Sequence, residues 1–577
     1  MNSDTKKSAA PPKYIIIGAV AGGASAAARL RRMDEKANII LFEKSDYISY
    51  ANCGLPYYIG DVIKERQKLF VQTAASFTKR FGIDVRIGTE VKSINTDTNS
   101  ITATNLITGE TYTETYDKLI LSPGAEPVRP PLDGIGLQGI FTLRNVVDTD
   151  TIKSYVQKFP SGKAVIIGAG FIGLEMAENL HELGMQVSII EMGNQVLAPL
   201  DFSMAAIVQQ HIRSKGISLY LSTKVTGFEK DKNGLQIILN GAEALPADLV
   251  ILSIGVKPDT RLAIQAGLKI GNAKGILVNE FLQTSHPDIY AVGDAIEFEN
   301  PITGTSVTTF LAGPANKQGR ICANNIVFKN THSYKGSIGT AIVKAFDVTI
   351  GTTGLSGKNL AANGIPHLLS TTHSGSHAAY YPGAEQMSIQ LVFAPVTGRL
   401  LGAQVVGTKG VDKRVDLLAS VIKRGGNIFD LAEIEHAYAP PFSSAKDPVN
   451  IAGFTAENIL LKRMNAFYHD EVSSLDNNYI IDVRSEQEYA DGKINNAINI
   501  PLDDLRSRLN EIPIDQDIYV YCQIGLRGYI ASRILMQNGF EKVYNLSGGY
   551  QLWFTAFQEK EIAILNREQK IESILEM

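Results

Sequence analysis

Two cysteines stand where a thiol could do chemistry. Cys53 lies in Ser49-Tyr50-Ala51-Asn52-Cys53-Gly54-Leu55-Pro56. No second cysteine sits within a few residues, so it has no local disulfide partner. It must cycle through a mixed disulfide, a persulfide or a sulfenic acid. A helix N-terminus at this point would favour its thiolate. Cys522 opens Cys522-Gln-Ile-Gly525-Leu-Arg527-Gly528. A loop leaving a strand there can curl so that successive N–H groups converge on one sulfur, stabilising a thiolate or a persulfide anion, with Arg527 adding positive charge or holding the loop. Cys322, in Gly319-Arg-Ile-Cys-Ala-Asn, reads as a core residue without chemistry. Three cysteines in 577 residues exclude a disulfide scaffold and argue against a Cys-rich metal site, so no metal is expected.

The second chemistry is nucleotide binding. Gly168, Gly170 and Gly173 form a complete G-x-G-x-x-G turn after an apolar strand, and Glu191 follows at close to the spacing of about 20 residues that suits a ribose 2′-OH acceptor. An acid there repels a 2′-phosphate, which favours NADH over NADPH. An earlier copy has Gly18, Gly22 and Gly23, with Val20 at the middle-glycine position and Glu43 downstream. Two nucleotide sites in one chain point to a flavin plus a nicotinamide, with electrons passing between them. Asp288-Ile-Tyr-Ala-Val-Gly293-Asp294 ends a strand on a carboxylate suited to a ribityl chain.

The elements that must hold these residues are legible as alternating strands and helices. Strands are expected at Tyr14–Ile17, Ile39–Phe42 and Leu119–Ser122, with an Ala-rich helix near 24–32. The pattern returns with Ala164–Ile167, Gln186–Ile190 and Leu249–Ser253. Texture changes near 337 to β-branched strands followed by a helix, and a last α/β segment carries Tyr479–Val483, Ala497–Ile500 and Ile518–Tyr521. The fold class expected is therefore α/β: two dinucleotide-binding domains with parallel sheets, an α+β domain, and a C-terminal α/β domain. The expected order is 13–150 and 281–335 for the flavin-binding domain, 151–280 for the NADH-binding domain and 336–453 for the α+β domain. A helical linker over 454–470, the last domain over 471–560 and a C-terminal helix over 561–577 complete it. The length suits about four domains. A net charge of −4 gives no pointer to nucleic acid, and no apolar run approaches the roughly 20 residues of a membrane span. The polar start MNSDTKKSAAPPK does not read as a signal peptide, which makes a reducing, cytoplasmic setting the expectation.

With these residues in place, 13–453 resembles the single-cysteine branch of the pyridine nucleotide-disulfide oxidoreductases, coenzyme A-disulfide reductases in particular. The strings that carry it include GAVAGGASAAARLRR, SYANCGLPYYIG, IIGAGFIGLE, YAVGDA, GPANKQGR, HAAYYPGA and AYAPPFSSAKDPVN. Residues from about 471 to 557 resemble a rhodanese domain through IIDVRSEQEY, INNAINIP, CQIGLRG and NLSGGYQLW. The fusion resembles NADH-dependent persulfide reductases. The resemblance implies FAD, NADH and coenzyme A as cofactors and substrate, with Lys44, Val91, Ala312 and Ile172 among the cofactor-contacting positions. It also implies a homodimer whose active sites are shared, the 336–453 domain being the dimerisation domain. Tyr438 and Tyr380, or its neighbour Tyr381, would reach the site from the partner subunit, where a phenol can protonate a leaving thiolate. Matching positions for coenzyme A are Ser25, Arg29, Arg32, Ser49, Asn52 and Lys446, and for the rhodanese loop Gly525 and Arg527. Its substrates would be small thiols, disulfides or persulfides. The rhodanese element departs from the usual His and Gly, reading Lys493-Ile-Asn-Asn496-Ala497. The rival reading is an NADH oxidase or peroxidase working through a Cys53 sulfenic acid, with the last domain a persulfide-sensing or docking module.

Overall fold

The structure is a computed structural model and describes residues 10–575 apart from 233, 241–243 and 476–477. The apolar run Lys13–Ile17 is buried on both faces and becomes the central strand of a five-stranded parallel sheet. Its neighbours are Asn38–Phe42, then Asp84–Arg86 on one side, and Lys118–Leu121, then Ile289–Ala291 on the other. The helix Ala21–Met33 lies against the helix Ala312–Phe328. Small residues allow that approach, since a Cβ on Gly319 would stand 2.4 Å from the Gly22 carbonyl oxygen. The second unit repeats the plan with Lys163–Ile167 central, flanked by Gln186–Ile190 and Leu249–Leu252, all parallel. Burial on both faces is what a parallel strand sandwiched between helices requires.

Residues 341–407 form a five-stranded antiparallel sheet whose last two strands in spatial order are Gln386–Phe393 and Leu368–Gly375. The C-terminal domain is again parallel, in the order Asn465–Phe467, Val543–Leu546, Ile518–Tyr521, Tyr479–Asp482 and Ile498–Asn499. It is docked on the rest of the chain. The buried Glu559 carboxylate accepts from Gln209 Nε2 at 2.8 Å and from Arg213 Nε at 3.3 Å. The His373 ring joins Ser388 Oγ at 2.8 Å to the Gly548 carbonyl at 3.0 Å.

Three boundaries differ from the sequence expectation. Strand Ile140–Thr142 pairs in parallel with Leu249–Leu252, so the second unit begins before 151. The expected linker over 454–470 is in fact the second half of helix Pro448–Leu460 and then the edge strand Asn465–Phe467. That helix carries a single charged residue, Glu457. Ala452, Ala456 and Ile459 are buried in the core of the antiparallel sheet, while Glu457 pairs with Arg463 at 2.9 Å on the outside. The C-terminal helix starts at Gly549 rather than 561 and runs to Leu575; the last two residues of the expected 561–577 helix lie outside the described residues. Among the described residues no helix is long and apolar enough to cross a membrane.

Candidate active site

The two glycine turns close in the same way. Gly18 and Gly168 take φ +94° and +102°, and a Cβ there would fall 2.1 and 2.5 Å from the carbonyl oxygens of Ser122 and Ser253. Gly23 and Gly173 approach the carbonyls of Gly18 and Gly168 so closely that a Cβ would meet them at 1.8 and 2.1 Å. A Cβ on Gly170 would meet nothing within 4 Å. The middle position is therefore unconstrained by the fold, which is why the first copy can carry Val20 there. The acids at the strand ends are matched too. Glu43 Oε2 accepts from Ala19 N at 3.0 Å, and Glu191 Oε2 accepts from Ala169 N at 2.9 Å. Their other oxygens accept from Ser45 and Gly193 N–H groups. Each carboxylate is thus fixed at the mouth of its turn, with lone pairs left over for a ribose.

A cavity of about 430 Å³ opens beyond the first turn, with Glu43, Lys44, Val91, Asn52 and Asp294 on its walls. Ala312 only opens its helix; Ala315, one turn on, lines the cavity. The donor set fits a flavin nucleotide. Asn52 Oδ1 is buried there without a hydrogen-bond partner among the described residues. Burial raises Asp294, and the Arg144 guanidinium draws it back. Arg144, Tyr50 and Asp259 also face this space and were not foreseen, since nothing in their local sequence marks them. At the second turn, Ile172 is exposed at the start of helix Phe171–Glu182, close to Gly170.

Cys53 sits in the 3₁₀ turn Asn52–Gly54 that leads into the five-residue helix Leu55–Ile59. The expectation of a lowered thiol pKa is not met in the polypeptide. Cys53 is an exposed residue, yet partial desolvation of its sulfur raises the thiol, the carboxylates of Glu175 and Asp294 raise it further, and its own backbone N–H pulls the other way. A helix of one and a half turns has too small a dipole to prevail. Glu175, missed in the sequence although it ends the string IIGAGFIGLE, is itself pushed up to about 7 by burial and accepts from the Tyr57 hydroxyl at 3.4 Å.

Ser25, Arg29 and Arg32 lie on one helix. Ser25 Oγ hydrogen-bonds Asn316 Oδ1, Arg29 Nε donates to Asn324 Oδ1 at 2.9 Å, and Arg32 Nε donates to the Ala28 carbonyl at 3.0 Å. Burial, then the neighbouring charges of Arg320 and Arg32, lower Arg29. Arg320, the last residue of GPANKQGR, thus completes a guanidinium cluster. Arg31 is turned inward, donating to the carbonyls of Phe81, Gly82, Asp34 and Glu35, and takes no part in it. Ser49 holds its loop at φ 46°, donating from N to the Ala19 carbonyl at 2.8 Å. Lys446 is exposed.

The hydroxyls of Tyr380 and Tyr438 share a hydrogen bond of 2.7 Å, on side chains 76% and 46% exposed. Tyr381 packs edge-on against His377 instead. No hydrogen bond among the described residues joins either member of the Tyr380–Tyr438 pair to Cys53.

The second thiol is enclosed. Cys522 is 1% exposed, and the Gly525 N–H donates to its Sγ at 3.1 Å. Gly525, at φ +100°, caps the helix Leu526–Gln537. Arg527 grips both oxygens of Glu488 at 2.7 and 2.6 Å; this pair holds Glu488 down to about 2, and the Cys522 sulfur lies within reach of the same guanidinium. Beneath the loop Arg484 pairs with Asp482 at 2.7 Å and lies 4.0 Å from the Tyr550 ring centroid. Glu488 and Arg484 both stand in IIDVRSEQEY but were not singled out. The unusual Lys493–Asn496 segment is accommodated: Asn496 takes φ 62°, a conformation Asn tolerates better than most residues.

Comparison with known proteins matches both halves. Residues 12–319 match the pyridine nucleotide-disulphide oxidoreductase family, 340–448 its dimerisation domain and 468–556 the rhodanese-like domain. The chain is 33% identical over 448 residues to the coenzyme A disulfide reductase of Staphylococcus aureus, covering 77% of this chain and 100% of that protein. Among solved structures, reduced Bacillus anthracis CoADR-RHD aligns with TM-score 0.93 and 47% identity over 95% of this chain and 99% of that one. An NAD-dependent persulfide reductase from A. fulgidus aligns with TM-score 0.88 and 38% identity over 94% and 100%. With its paired nucleotide turns, single Cys53 and C-terminal Cys522 loop, the chain belongs to the pyridine nucleotide-disulphide oxidoreductases, with that family's dimerisation domain and a rhodanese-like domain appended.

Proposed function

We propose that the protein is an FAD-dependent, NADH-using reductase of coenzyme A disulfide or persulfide, coupled to sulfur transfer at Cys522. The observation that carries this reading is Cys53, a nucleophile without a neighbouring cysteine, set beside the flavin-type cavity in a chain that also carries an enclosed Cys522. Glu43, Lys44, Val91 and Asp294 would hold FAD, and Gly168, Gly170, Ile172 and Glu191 would hold NADH. Bound flavin supplies a two-electron relay from nicotinamide to sulfur.

The chain's own residues do the rest. The Cys53 thiolate attacks one sulfur of the disulfide; the S–S bond breaks, and a Cys53–coenzyme A mixed disulfide forms as the other coenzyme A leaves as a thiolate. Tyr438 or Tyr380 of the opposite subunit protonates that thiolate. Two electrons from NADH then cleave the mixed disulfide and return the Cys53 thiolate. Arg29, Arg32 and Lys446 neutralise the phosphates of coenzyme A, with Ser25, Ser49 and Asn52 as polar contacts. At the other thiol, Cys522 carries a sulfane sulfur as a persulfide anion facing the Gly525 N–H and Arg527. Attack by the coenzyme A thiolate on that outer sulfur gives coenzyme A persulfide and frees Cys522. Free thiols at all three cysteines suit a reducing, cytoplasmic setting.

The test is the intact mass of the purified protein with and without reductant. A reductant-labile adduct of coenzyme A mass, absent in Cys53→Ser, is expected. Oxygen addition at Cys53 without any thiol adduct would replace this reading with the oxidase or peroxidase one.

A further inference from the structure

Two loops carry the exposed tyrosines, and both are rooted on one buried ion pair. Arg414, from helix Val411–Lys423, and Asp447, which caps helix Pro448–Leu460, are both buried. They meet side by side: Arg414 Nη2 donates to Asp447 Oδ2 at 2.8 Å, and Nε donates to Oδ1 at 3.3 Å. Asp447 Oδ1 also accepts from Val449 N at 3.0 Å. Lys413 adds a second positive charge at the edge of the cluster, its Nζ 3.7 Å from Oδ2. A buried ion pair often adds little stability over apolar packing of the same volume. What this pair contributes is direction, through the bonds it has left over.

Those bonds reach both loops. Between the antiparallel strands Leu368–Gly375 and Gln386–Phe393 the chain turns through Tyr380. The neck of that turn is closed by Ser376 N donating to the Glu385 carbonyl at 2.7 Å and by Glu385 N donating to Ser376 Oγ at 3.1 Å. Arg414 Nη2 donates to the Ser376 carbonyl at 3.0 Å, so the guanidinium holds the neck. The second loop runs from His436 to Ser443 and carries Tyr438. At its far end the Ser443 hydroxyl donates to Asp447 Oδ2 at 2.6 Å, and at its near end His436 Nδ1 stands 3.7 Å from the same oxygen. One carboxylate oxygen therefore gathers both ends. The loops are also tied to each other, Ala378 N donating to the Ser443 carbonyl at 3.1 Å. Pro440 and Pro441 stiffen the stretch between Tyr438 and Ser443. At the exposed tips the two hydroxyls meet at 2.7 Å.

We propose that Asp447 is a positioning residue for proton delivery: with Arg414 it fixes the two loops so that the phenols of Tyr380 and Tyr438 stay paired where a leaving thiolate arrives. The inference rests on the role proposed above for those tyrosines and adds what holds them. One phenol gives its proton to the leaving thiolate. The phenolate left behind accepts a hydrogen bond from the other phenol until water returns the proton. That division of labour fails once the hydroxyls drift apart, because proton transfer needs heavy atoms within hydrogen-bond reach.

The test uses two disulfides that differ in the basicity of the thiol that leaves. One is coenzyme A disulfide, whose alkyl thiolate benefits from a proton. The other is the mixed disulfide of coenzyme A with nitrothiobenzoate, whose aryl thiolate departs unprotonated. Both put the same coenzyme A adduct on Cys53, and its rate of formation in the reduced holoenzyme is read by rapid acid quench and intact mass. Asp447→Asn should slow the adduct from coenzyme A disulfide roughly tenfold or more and leave that from the aryl mixed disulfide within about twofold. Equal slowing with both disulfides marks general structural damage and overturns the proposal, as does an unchanged rate with coenzyme A disulfide. Tyr380→Phe/Tyr438→Phe is measured alongside. If that variant keeps the full rate with coenzyme A disulfide, the tyrosines have no part in protonation and the proposal falls with that reading. If it shows the split and Asp447→Asn does not, only the role of Asp447 is lost. Should Asp447→Asn fail to assemble with FAD, Ser443→Ala, which cuts one tie and spares the ion pair, decides by the same split between the two disulfides.

Discussion

Charge around Cys53 sets when its thiol becomes useful. The folded thiol titrates above its ordinary value of 9.0, because partial desolvation of the sulfur and the carboxylates of Glu175 and Asp294 disfavour the thiolate. Glu175 titrates near 7, so its penalty on Cys53 is switched on only as pH rises through that value. Below pH 6 Glu175 is protonated and weighs little; above pH 8 it is a full negative charge beside the sulfur. Glu175→Gln should therefore leave the rate of Cys53 alkylation by iodoacetamide in the reduced holoenzyme unchanged at pH 6 and raise it roughly threefold at pH 8. Mass spectrometry of the Cys53 peptide at both pH values checks this, and an equal effect at the two would remove Glu175 from the account. The same residue-level logic separates Arg29 and Arg32, which gather with Arg320, from Arg31, which is spent on four backbone carbonyls.

Between elements, the contact that matters most is the strand Leu368–Gly375 against the Ser547–Tyr550 loop. His373 is buried and neutral there, lowered to about 4 by desolvation, with its donation to the Gly548 carbonyl opposing. A base whose folded pKa lies below its ordinary 6.5 takes up a proton more readily when released. Docking through His373 is therefore at full strength above pH 6.5 and weakens as pH falls from there toward 4. His373→Leu leaves the Gly548 carbonyl buried without its donor, at a cost of about 1–3 kcal/mol, whereas His373→Gln can still donate. Amide exchange at 547–551 should speed up in the Leu variant and at pH 5 in the wild type, and stay close to wild type in the Gln variant; no change in the Leu variant would remove the ring from the docking. None of this was legible in the sequence, because a His in a β-strand carries no mark of what it will face. The strands themselves were legible where both faces are apolar, as in Tyr14–Ile17 and Gln186–Ile190. The helix Pro448–Leu460 was half lost to a linker because the charges that follow it, Lys462, Arg463, Asp470 and Glu471, colour the local composition, and only the period of Ala452, Ala456 and Ile459 betrays a buried side. The glycine turns, the Glu43 and Glu191 strand ends and the Cys522 loop were readable because backbone geometry fixes residue type there. Glu175, Arg144 and Arg320 were not, since they reach their sites from helices and loops distant in sequence.

At the scale of the whole molecule, the proposed mechanism draws each reductase site from two copies of the chain. Tyr380 and Tyr438 hold each other on an exposed face of the dimerisation domain, with no hydrogen bond to Cys53 among the described residues. Exposed, paired phenols beside the exposed Phe442 form a surface that a second copy would cover. If each site takes its cysteine from one chain and its tyrosines from the other, two dead variants can repair each other. Cys53→Ser removes the nucleophile, and Tyr380→Phe/Tyr438→Phe removes the proton donors, so each homodimer should lose most of its NADH-dependent disulfide reduction. In a mixed dimer, the Cys53 of the tyrosine-less chain meets the intact tyrosines of its partner. That site is whole, while the other lacks everything. Differently tagged chains purified as mixed dimers should then recover about half of the wild-type activity per dimer. If the site were built within a single chain, both sites of the mixed dimer would stay defective and no activity would return. Recovery would assign the tyrosines to the neighbouring subunit and make dimerisation a condition of chemistry, because separated chains would then hold the nucleophile and its proton donors apart.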